Sequence, residues 1–82
     1  MATRLTADID NPLNGTTVGT TLDDLQKAVN GYIELVYLPD SKVMVVDEEG
    51  LYKDYLVNRT ASLLAQRPIV GDVVIANQDE ID

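Results

Sequence analysis

Residues 25–50 constrain the fold of this chain more than any other stretch. They read LQKAVNGYIELVYLPDSKVMVVDEEG and hold the end of a helix, two strand-like runs and an acidic turn. Asn30-Gly31 ends the helical pattern, because glycine adopts the left-handed backbone of a helix C-cap at little cost. The runs at 32–38 and 43–46 flank Pro39 and Asp40, residue types that favour a turn. This order predicts an antiparallel hairpin that follows a helix.

Shorter elements are predicted on either side of this hairpin. We expect an edge strand within 2–9, a short returning strand at 16–18 and a helix that begins after Thr21. Beyond the hairpin, residues 51–57 are expected to be extended or irregular, Asn58 to cap a helix over 59–66, and residues 73–76 to form a buried strand. The predicted fold class is α+β, with a mainly antiparallel sheet of four or five strands and two short helices.

The 82 residues are expected to form one compact domain over 1–76, followed by an acidic tail at 77–82 that frays. A domain of this size has a thin core, and the chain holds no cysteine to support that core with a disulfide. Additional burial in a homo-oligomer is therefore expected. The predicted core comprises Leu22, Leu25, Val29, Ile33, Leu35, Val45, Leu64, Val73 and Ile75.

The composition argues against several classes of function. The chain has no histidine and no cysteine, so it lacks the usual general base and any Ser/His or Cys/His nucleophile. Its formal net charge of −8 disfavours direct contact with nucleic acid and with anionic membranes. No apolar run reaches the roughly 20 residues that span a bilayer, and the N-terminus lacks the layout of a signal peptide. We expect a cytoplasmic protein that binds rather than catalyses, without a metal or a cofactor.

Two residues of the first hairpin strand are candidates for ligand binding. Glu34 is the single charge in an apolar strand, which indicates either an exposed sheet face or a carboxylate at the rim of a pocket. Tyr32 is predicted to share that face, where its ring would stack on a base while the Glu34 carboxylate binds ribose hydroxyls or an amine. The alternative is a tyrosine packed flat on the sheet.

Two turn regions provide further candidates. Arg59 at a helix start, with Asn58 and Thr60 beside it, would bind a phosphate near the N-terminal amides of the helix. The alternative is plain capping by Asn58 with an exposed Arg59. Gly71 would allow close backbone contact with a ligand and Asp72 would orient a hydroxyl, unless the two merely turn the chain.

The acidic turn at 47–50 (DEEG) is interpreted as a solvated loop. It lacks the regular ligand spacing of an EF-hand loop, so no metal site is predicted there. A hydrolase that uses Glu34, Glu48 or Asp72 is a further possibility, since paired acids can cleave a bond when they stand at a defined separation.

The order of short motifs along the chain resembles that of a known family. The motifs are Leu22-x-x-Leu25-Gln26, Gly31-Tyr32-Ile33-Glu34, Asp47-Glu48-Glu49-Gly50, Asn58-Arg59 and Ile69-Val70-Gly71-Asp72-Val73. Together they resemble the domain of unknown function numbered 3846, which occurs in bacteria, their phages and other mobile elements. The resemblance covers nearly the whole chain, most firmly 22–75. Two departures are Asp47, where members typically have asparagine, and Asn30, where a glycine is usual.

The resemblance implies a setting rather than an activity: a compact accessory protein, often encoded by a phage. Phage proteins of this size commonly disarm host defence by binding something. We therefore expect a protein that sequesters a small nucleotide-derived host immune signal, of the cyclic or adducted ADP-ribose type, without cleaving it. Its site would lie between subunits of a dimer or larger ring, with a basic pocket built from Arg59, Arg67 or Arg4. The alternative is an acidic interaction protein, or DNA mimic, that blocks a host defence factor.

Overall fold

The computed structural model describes residues 2–81 and has an α+β fold, as predicted. Five strands form one antiparallel sheet in the order β2-β1-β5-β4-β3. The strands are β1 (Ala2–Leu5), β2 (Thr17–Val18), β3 (Ile33–Leu38), β4 (Lys42–Asp47) and β5 (Val73–Asn77). The helices are α1 (Leu22–Val29), α2 (Arg59–Ala65) and α3 (Gln78–Ile81), and a 3₁₀ turn spans Gly50–Tyr52.

Helices cover both faces of the sheet. On one face, called the α1 face, Leu25, Ala28 and Val29 of α1 pack against strand residues that include Val43 and Val45. On the opposite α2 face, Ala61 and Ile69 pack against Met44, Val46 and Val73. Residues 43–47 of β4 are consequently all buried. A strand covered on both faces carries a continuous apolar run instead of an alternating pattern, which explains the sequence VMVV.

Two residues of the predicted core are exposed. Leu22 is 60% exposed and Leu64 is 47% exposed. In α2 the contact with the sheet is made by Ala61 and Ala65, which lie one turn apart on the same side of the helix. Leu64 precedes Ala65 by one residue, about 100° around the helix, and therefore turns away from the sheet. The orientation of α2 is therefore set by the packing of its two alanines, and not its leucines, against the sheet.

The first strand is shorter than predicted and is not an edge strand. β1 ends at Leu5 and lies between β2 and β5. The next two backbone N–H groups donate to side chains instead of a neighbouring strand: Thr6 to Asn14 Oδ1 and Ala7 to Asp72 Oδ1, both at 3.0 Å. These bonds divert the chain out of the sheet before Ile9.

Helix α1 begins as predicted but ends differently. The Thr21 hydroxyl accepts a hydrogen bond from the Asp24 N–H at 3.2 Å, which caps the helix. At the C-terminal end the left-handed residue is Asn30, with φ of 65°, and not Gly31. Gly31 is needed for a different reason: a Cβ at this position would lie 2.8 Å from Oδ2 of Asp47.

The predicted hairpin forms, and its turn contains two left-handed residues. β3 pairs with β4 from Ile33 opposite Asp47 to Leu38 opposite Lys42. Asp40 and Ser41 in the connection have φ of 62° and 59°. Neither is glycine, so each carries the steric cost that an L side chain meets in this region.

The segment predicted as an acidic tail has regular secondary structure through residue 81. β5 continues to Asn77 and α3 follows directly. Gln78 N–H donates to Ser41 O at 2.8 Å, and Ile81 packs against the core of the α1 face. The last residue of the predicted tail, Asp82, lies outside the described residues. Among residues 2–81, no helix is both long enough and apolar enough to cross a membrane.

Glycine at position 41 should stabilise the protein. In Ser41→Gly the left-handed backbone loses its steric cost, and we expect the free energy of unfolding to rise by about 0.5–1 kcal/mol in urea titrations. The matched control is Glu48→Gly, because Glu48 is exposed and has no positive φ. Glycine there should lower stability through the greater freedom of the unfolded chain. Equal effects of the two substitutions would show that Ser41 is not strained.

Candidate functional site

Gly71 and Asp72 line a cavity of about 270 Å³, here called the Asp72 cavity. Its walls come from the start of the β1–β2 connection, the end of α1 and the segment 54–56. Three of its lining residues are acids, Asp8, Asp54 and Asp72, while Ala28 and Leu56 supply apolar surface. It therefore combines hydrogen-bond acceptors with an apolar wall, the usual make-up of a small-molecule site.

A second depression, the Arg59 groove, adjoins this cavity. It has a volume of about 460 Å³ and shares Ala7, Asp8 and Leu56 with the Asp72 cavity. Ile9, Val57 and Arg59 complete its lining. Ile9 and Val57 are 72% and 59% exposed, so the groove presents apolar surface together with one cation, Arg59, and one acid, Asp8.

The other predicted site residues lie elsewhere. Glu34 lines a separate groove of about 360 Å³ together with Arg67, whose Nη2 stands 3.9 Å from Glu34 Oε2. Tyr32 lines a groove beside α1 with Gln26 and Lys27. Tyr32 and Glu34 therefore line different grooves and do not form one pocket. Thr60 is exposed on α2 and lines none of these depressions.

Asn58 is buried and its side chain is fully occupied by the fold. Its Oδ1 accepts the Ala61 N–H at 3.0 Å, which confirms the predicted N-cap of α2. Its Nδ2 donates to Leu5 O at 3.1 Å and to Gly71 O at 2.9 Å. The amide thus joins the end of β1, the start of α2 and the turn before β5. Because the Ala61 N–H is taken by this cap, it is not free for a phosphate.

Because Gly71 has no side chain, the aromatic ring of Tyr55 packs directly against its backbone. Its φ is 76°, and a Cβ there would lie 2.7 Å from Cδ2 of Tyr55. Asp72 beside it accepts the Ala7 N–H through Oδ1 and so fixes the start of the β1–β2 connection. Both residues shape the Asp72 cavity through contacts within the fold.

The sequence pattern does not reveal the most buried acid among residues 2–81. The expectation for Asp47 is a solvated turn, yet its side chain is only 2% exposed. Its Oδ2 accepts from Lys53 Nζ at 2.7 Å and from the Tyr55 hydroxyl at 2.8 Å, and its Oδ1 accepts the Glu49 N–H at 2.9 Å. One signal was present: Asp47 continues the alternation of Val43 and Val45 toward the α1 face.

The environment of Asp47 keeps it ionised. Burial alone would raise its pKa, but the hydrogen bonds from Lys53, Glu49 N–H and Tyr55, together with the Lys53 charge, outweigh burial and lower the pKa below 3.8. The hydrogen bond to Asp47 raises the pKa of Lys53 in turn. An acid with a lowered pKa and occupied oxygens is suited to holding loops together and poorly suited to proton transfer.

Lys53 extends this contact to the end of α1. Its Nζ also donates to Asn30 O at 3.1 Å and lies 5.6 Å from the centroid of the Tyr55 ring. We call Asp47, Lys53 and Tyr55 the Asp47 cluster. This cluster joins Asn30 to the segment 53–55, and Asn30, Asp54 and Tyr55 all line the Asp72 cavity. Within residues 2–81, no group of three or more acidic side chains is arranged to hold a metal ion.

Alanine at position 31 should destabilise the protein. The added Cβ in Gly31→Ala meets the Asp47 carboxylate, which cannot move without losing its hydrogen bonds. We expect the free energy of unfolding to fall by about 1–3 kcal/mol. The matched control is Gly19→Ala, where the Cβ meets only the exposed side chain of Asp24, which is free to rotate away. A Gly31→Ala protein as stable as the control would contradict the close packing inferred around Asp47.

The Asp47–Lys53 pair should also set the stability of the protein in acid. Because the folded-state pKa of Asp47 is lowered, its contribution is present above the unfolded-state pKa and is lost as pH falls through the lower folded-state pKa. We expect Lys53→Met to raise the Asp47 pKa, measured by carboxyl NMR, and to lower stability near neutral pH. Its stability deficit should shrink as pH falls below the unfolded-state pKa and toward the lowered folded-state pKa of Asp47 in the wild type, where the pair with Lys53 is lost. Lys27→Met, which removes the exposed pair with Asp23, should leave the acid profile unchanged.

The comparison with protein families agrees with the order of motifs along the chain. No curated protein and no solved structure matches the chain. A family model described as a domain of unknown function matches residues 2–82. Since the match spans nearly every residue, the chain belongs to the DUF3846 family.

Proposed function

We propose that this protein binds and holds a small nucleotide-derived molecule, of the cyclic or adducted ADP-ribose type, without cleaving it. The site we assign is the Asp72 cavity together with the adjoining Arg59 groove. The Asp72 cavity alone, at about 270 Å³, is below the range of about 300–1,000 Å³ that is usual for ligand sites, but together with the adjoining Arg59 groove it falls within that range. The protein would act in the cytoplasm by lowering the free concentration of its ligand.

The main support is the state of Arg59. It forms no ion pair or hydrogen bond with other residues in 2–81, whereas Lys27, Lys53 and Arg67 are each paired with an acid. An unpaired guanidinium at the side of an apolar groove is suited to a phosphate, which it can bind through two parallel hydrogen bonds. The neighbouring carboxylates of Asp8 and Asp72 would accept hydrogen bonds from ribose hydroxyls.

The basic pocket expected from Arg59, Arg67 and Arg4 is replaced in this proposal by Arg59 alone. Arg67 lies beside Glu34 in another groove. Arg4 belongs to β1, and the Nε atom of its side chain is buried. One guanidinium among several acids favours a ligand that carries few phosphates and many hydroxyls. An ADP-ribose derivative has this balance of groups.

Binding without cleavage fits the chemistry of the side chains. The chain has no histidine, and Asp47, the most buried acid that the structure describes, is ionised with both oxygens occupied. A protein that sequesters its ligand needs affinity and a matching surface, and it needs no proton donor poised near neutral pH.

Native mass spectrometry with ADP-ribose and cyclic ADP-ribose tests the proposal. We expect a stoichiometric mass shift with one of them, and release of the unaltered compound on denaturation. Arg59→Ala should weaken binding at least tenfold in calorimetry, by loss of about 1.5–3 kcal/mol from a charged hydrogen bond. Arg67→Ala removes an equally charged side chain from another groove and should leave affinity unchanged.

Three results would contradict this proposal. Absence of a mass shift with either compound would exclude this ligand class. An altered mass of the released compound would show an enzyme. Equal losses of affinity in Arg59→Ala and Arg67→Ala would place the site elsewhere on the surface.

One observation favours a second function, the blocking of a basic host protein. Leu51 and Tyr52 lie in the 3₁₀ turn that follows the acidic residues Glu48 and Glu49, and they are 74% and 90% exposed. An apolar turn beside acids suits a basic partner, and exposed tyrosines often dominate binding energy. This function predicts capture of a basic protein that weakens with added salt and is lost in Tyr52→Ser.

A further inference from the structure

Strand β3 ends the sheet with one side unpaired. It is last in the strand order, and no strand of residues 2–81 bonds to its outer side. It runs for six residues, whereas β2 at the opposite edge has only two. Its sequence, IELVYL, contains one charged residue, no lysine and no proline, and its pairing with β4 shows no bulge. Soluble proteins usually protect a long edge strand with one of these features.

The backbone groups that point outward can be identified. In the β3–β4 ladder, the numbers of two residues that lie opposite each other always add up to 80. Glu48 N–H donates to Tyr32 O at 2.8 Å, and these two residues continue the same register. Hydrogen-bonded pairs alternate along an antiparallel ladder, so the even-numbered residues of β3 bond to β4. The odd-numbered residues of β4 must then bond to β5, and Gln78 N–H indeed donates to Ser41 O. The outward N–H and C=O groups of β3 therefore belong to Ile33, Leu35 and Tyr37.

We propose that a second copy of this chain pairs with β3 along this edge, antiparallel, with Leu35 opposite the partner's Leu35. In this register Ile33 faces the partner's Tyr37, and Tyr37 faces the partner's Ile33. Each of the three pairs exchanges two backbone hydrogen bonds, so every outward group of the edge is satisfied. The two sheets become one continuous antiparallel sheet.

The alternative registers are excluded by residues at either end of the edge. Cross-strand neighbours must lie on the same face of the sheet, so the register changes in steps that keep odd residues opposite odd residues. If the pairing between the two copies shifts one step toward the N-terminus of β3, Glu34 lies opposite the partner's Glu34, and like charges directly opposite each other are unfavourable. It also needs the N–H of Gly31, which already donates to Gln26 O. One step the other way sets Ile33 opposite the partner's Pro39, which has no N–H.

Side chains agree with the register that remains. Tyr37, 60% exposed in one copy, would cover the partner's Ile33 on the α1 face. On the α2 face Glu34 would stand opposite the partner's Val36 and keep its own contact with Arg67. The one charge of the edge thus meets an apolar neighbour and stays beside a cation. The assembly is closed, because the two edges cover each other and no further copy can add there.

Sedimentation equilibrium of the full chain tests the assembly. We expect a dimer at micromolar concentration, and at least a tenfold weaker dimer in Tyr37→Lys. The matched control is Tyr52→Lys, since Tyr52 is 90% exposed and lies outside the edge. It should dimerise as the wild type does. A monomeric wild type, or a dimer equally insensitive to both substitutions, would overturn the proposal.

Single cysteines test the register, because the chain contains none of its own. Leu35→Cys should form a disulfide-linked dimer under mild oxidation, since residues opposite each other stand about 5.5 Å apart between Cα atoms. Tyr37→Cys should not, because four residues separate it from its own copy, about 13 Å along the strand. If Leu35→Cys fails to fold, Ile33→Cys combined with Tyr37→Cys should form the reciprocal links. Linkage in Tyr37→Cys alone, or in neither of the other variants, would refute this register.

Discussion

The buried carboxylate of Asp47 is the interaction on which the loops at one end of the sheet depend. It accepts hydrogen bonds from Lys53, Tyr55 and the Glu49 backbone, and it leaves room for no side chain at residue 31. Lys53 carries the contact on to Asn30 at the end of α1. A buried charge is costly when unpaired, so these loops keep one arrangement in which the charge is compensated.

The Asp72 cavity inherits its shape from this arrangement. Tyr55, one partner of Asp47, packs against Gly71, and Asp72 next to it fixes Ala7. Asn58 adds a second buried polar centre that joins Leu5 to the same turn. The walls of the cavity are therefore held by hydrogen bonds within the protein. The ligand that we propose would meet a preformed cavity, and binding there would cost little conformational entropy.

Local rules predicted the elements well, but they did not indicate which of the candidate site residues lie together in space. The hairpin, the Thr21 and Asn58 caps and the strand at 73–76 follow from patterns within a few residues. The burial of Asp47 depends on partners from an irregular segment, whose positions no periodicity reveals. The separation of Tyr32 from Glu34 likewise depends on which distant segments lie beside each of them, the end of α1 for Tyr32 and the segment 67–70 for Glu34. Of the residues assigned to a ligand, Gly71, Asp72 and Arg59 share one region, whereas Asn58 serves the fold.

The strand order has a consequence for how the chain folds. β5 lies between β1 and β4, and its pairing of Ile75 with Thr3 joins residues from opposite ends of the described chain. Until β5 docks, β1–β2 and β3–β4 are two separate hairpins, each too small to be stable alone. Closing such a distant contact comes late and is slow, because the entropy of the intervening loop is lost before the new contacts form. The whole sheet should therefore form in a single cooperative step, with its rate set by the arrival of β5.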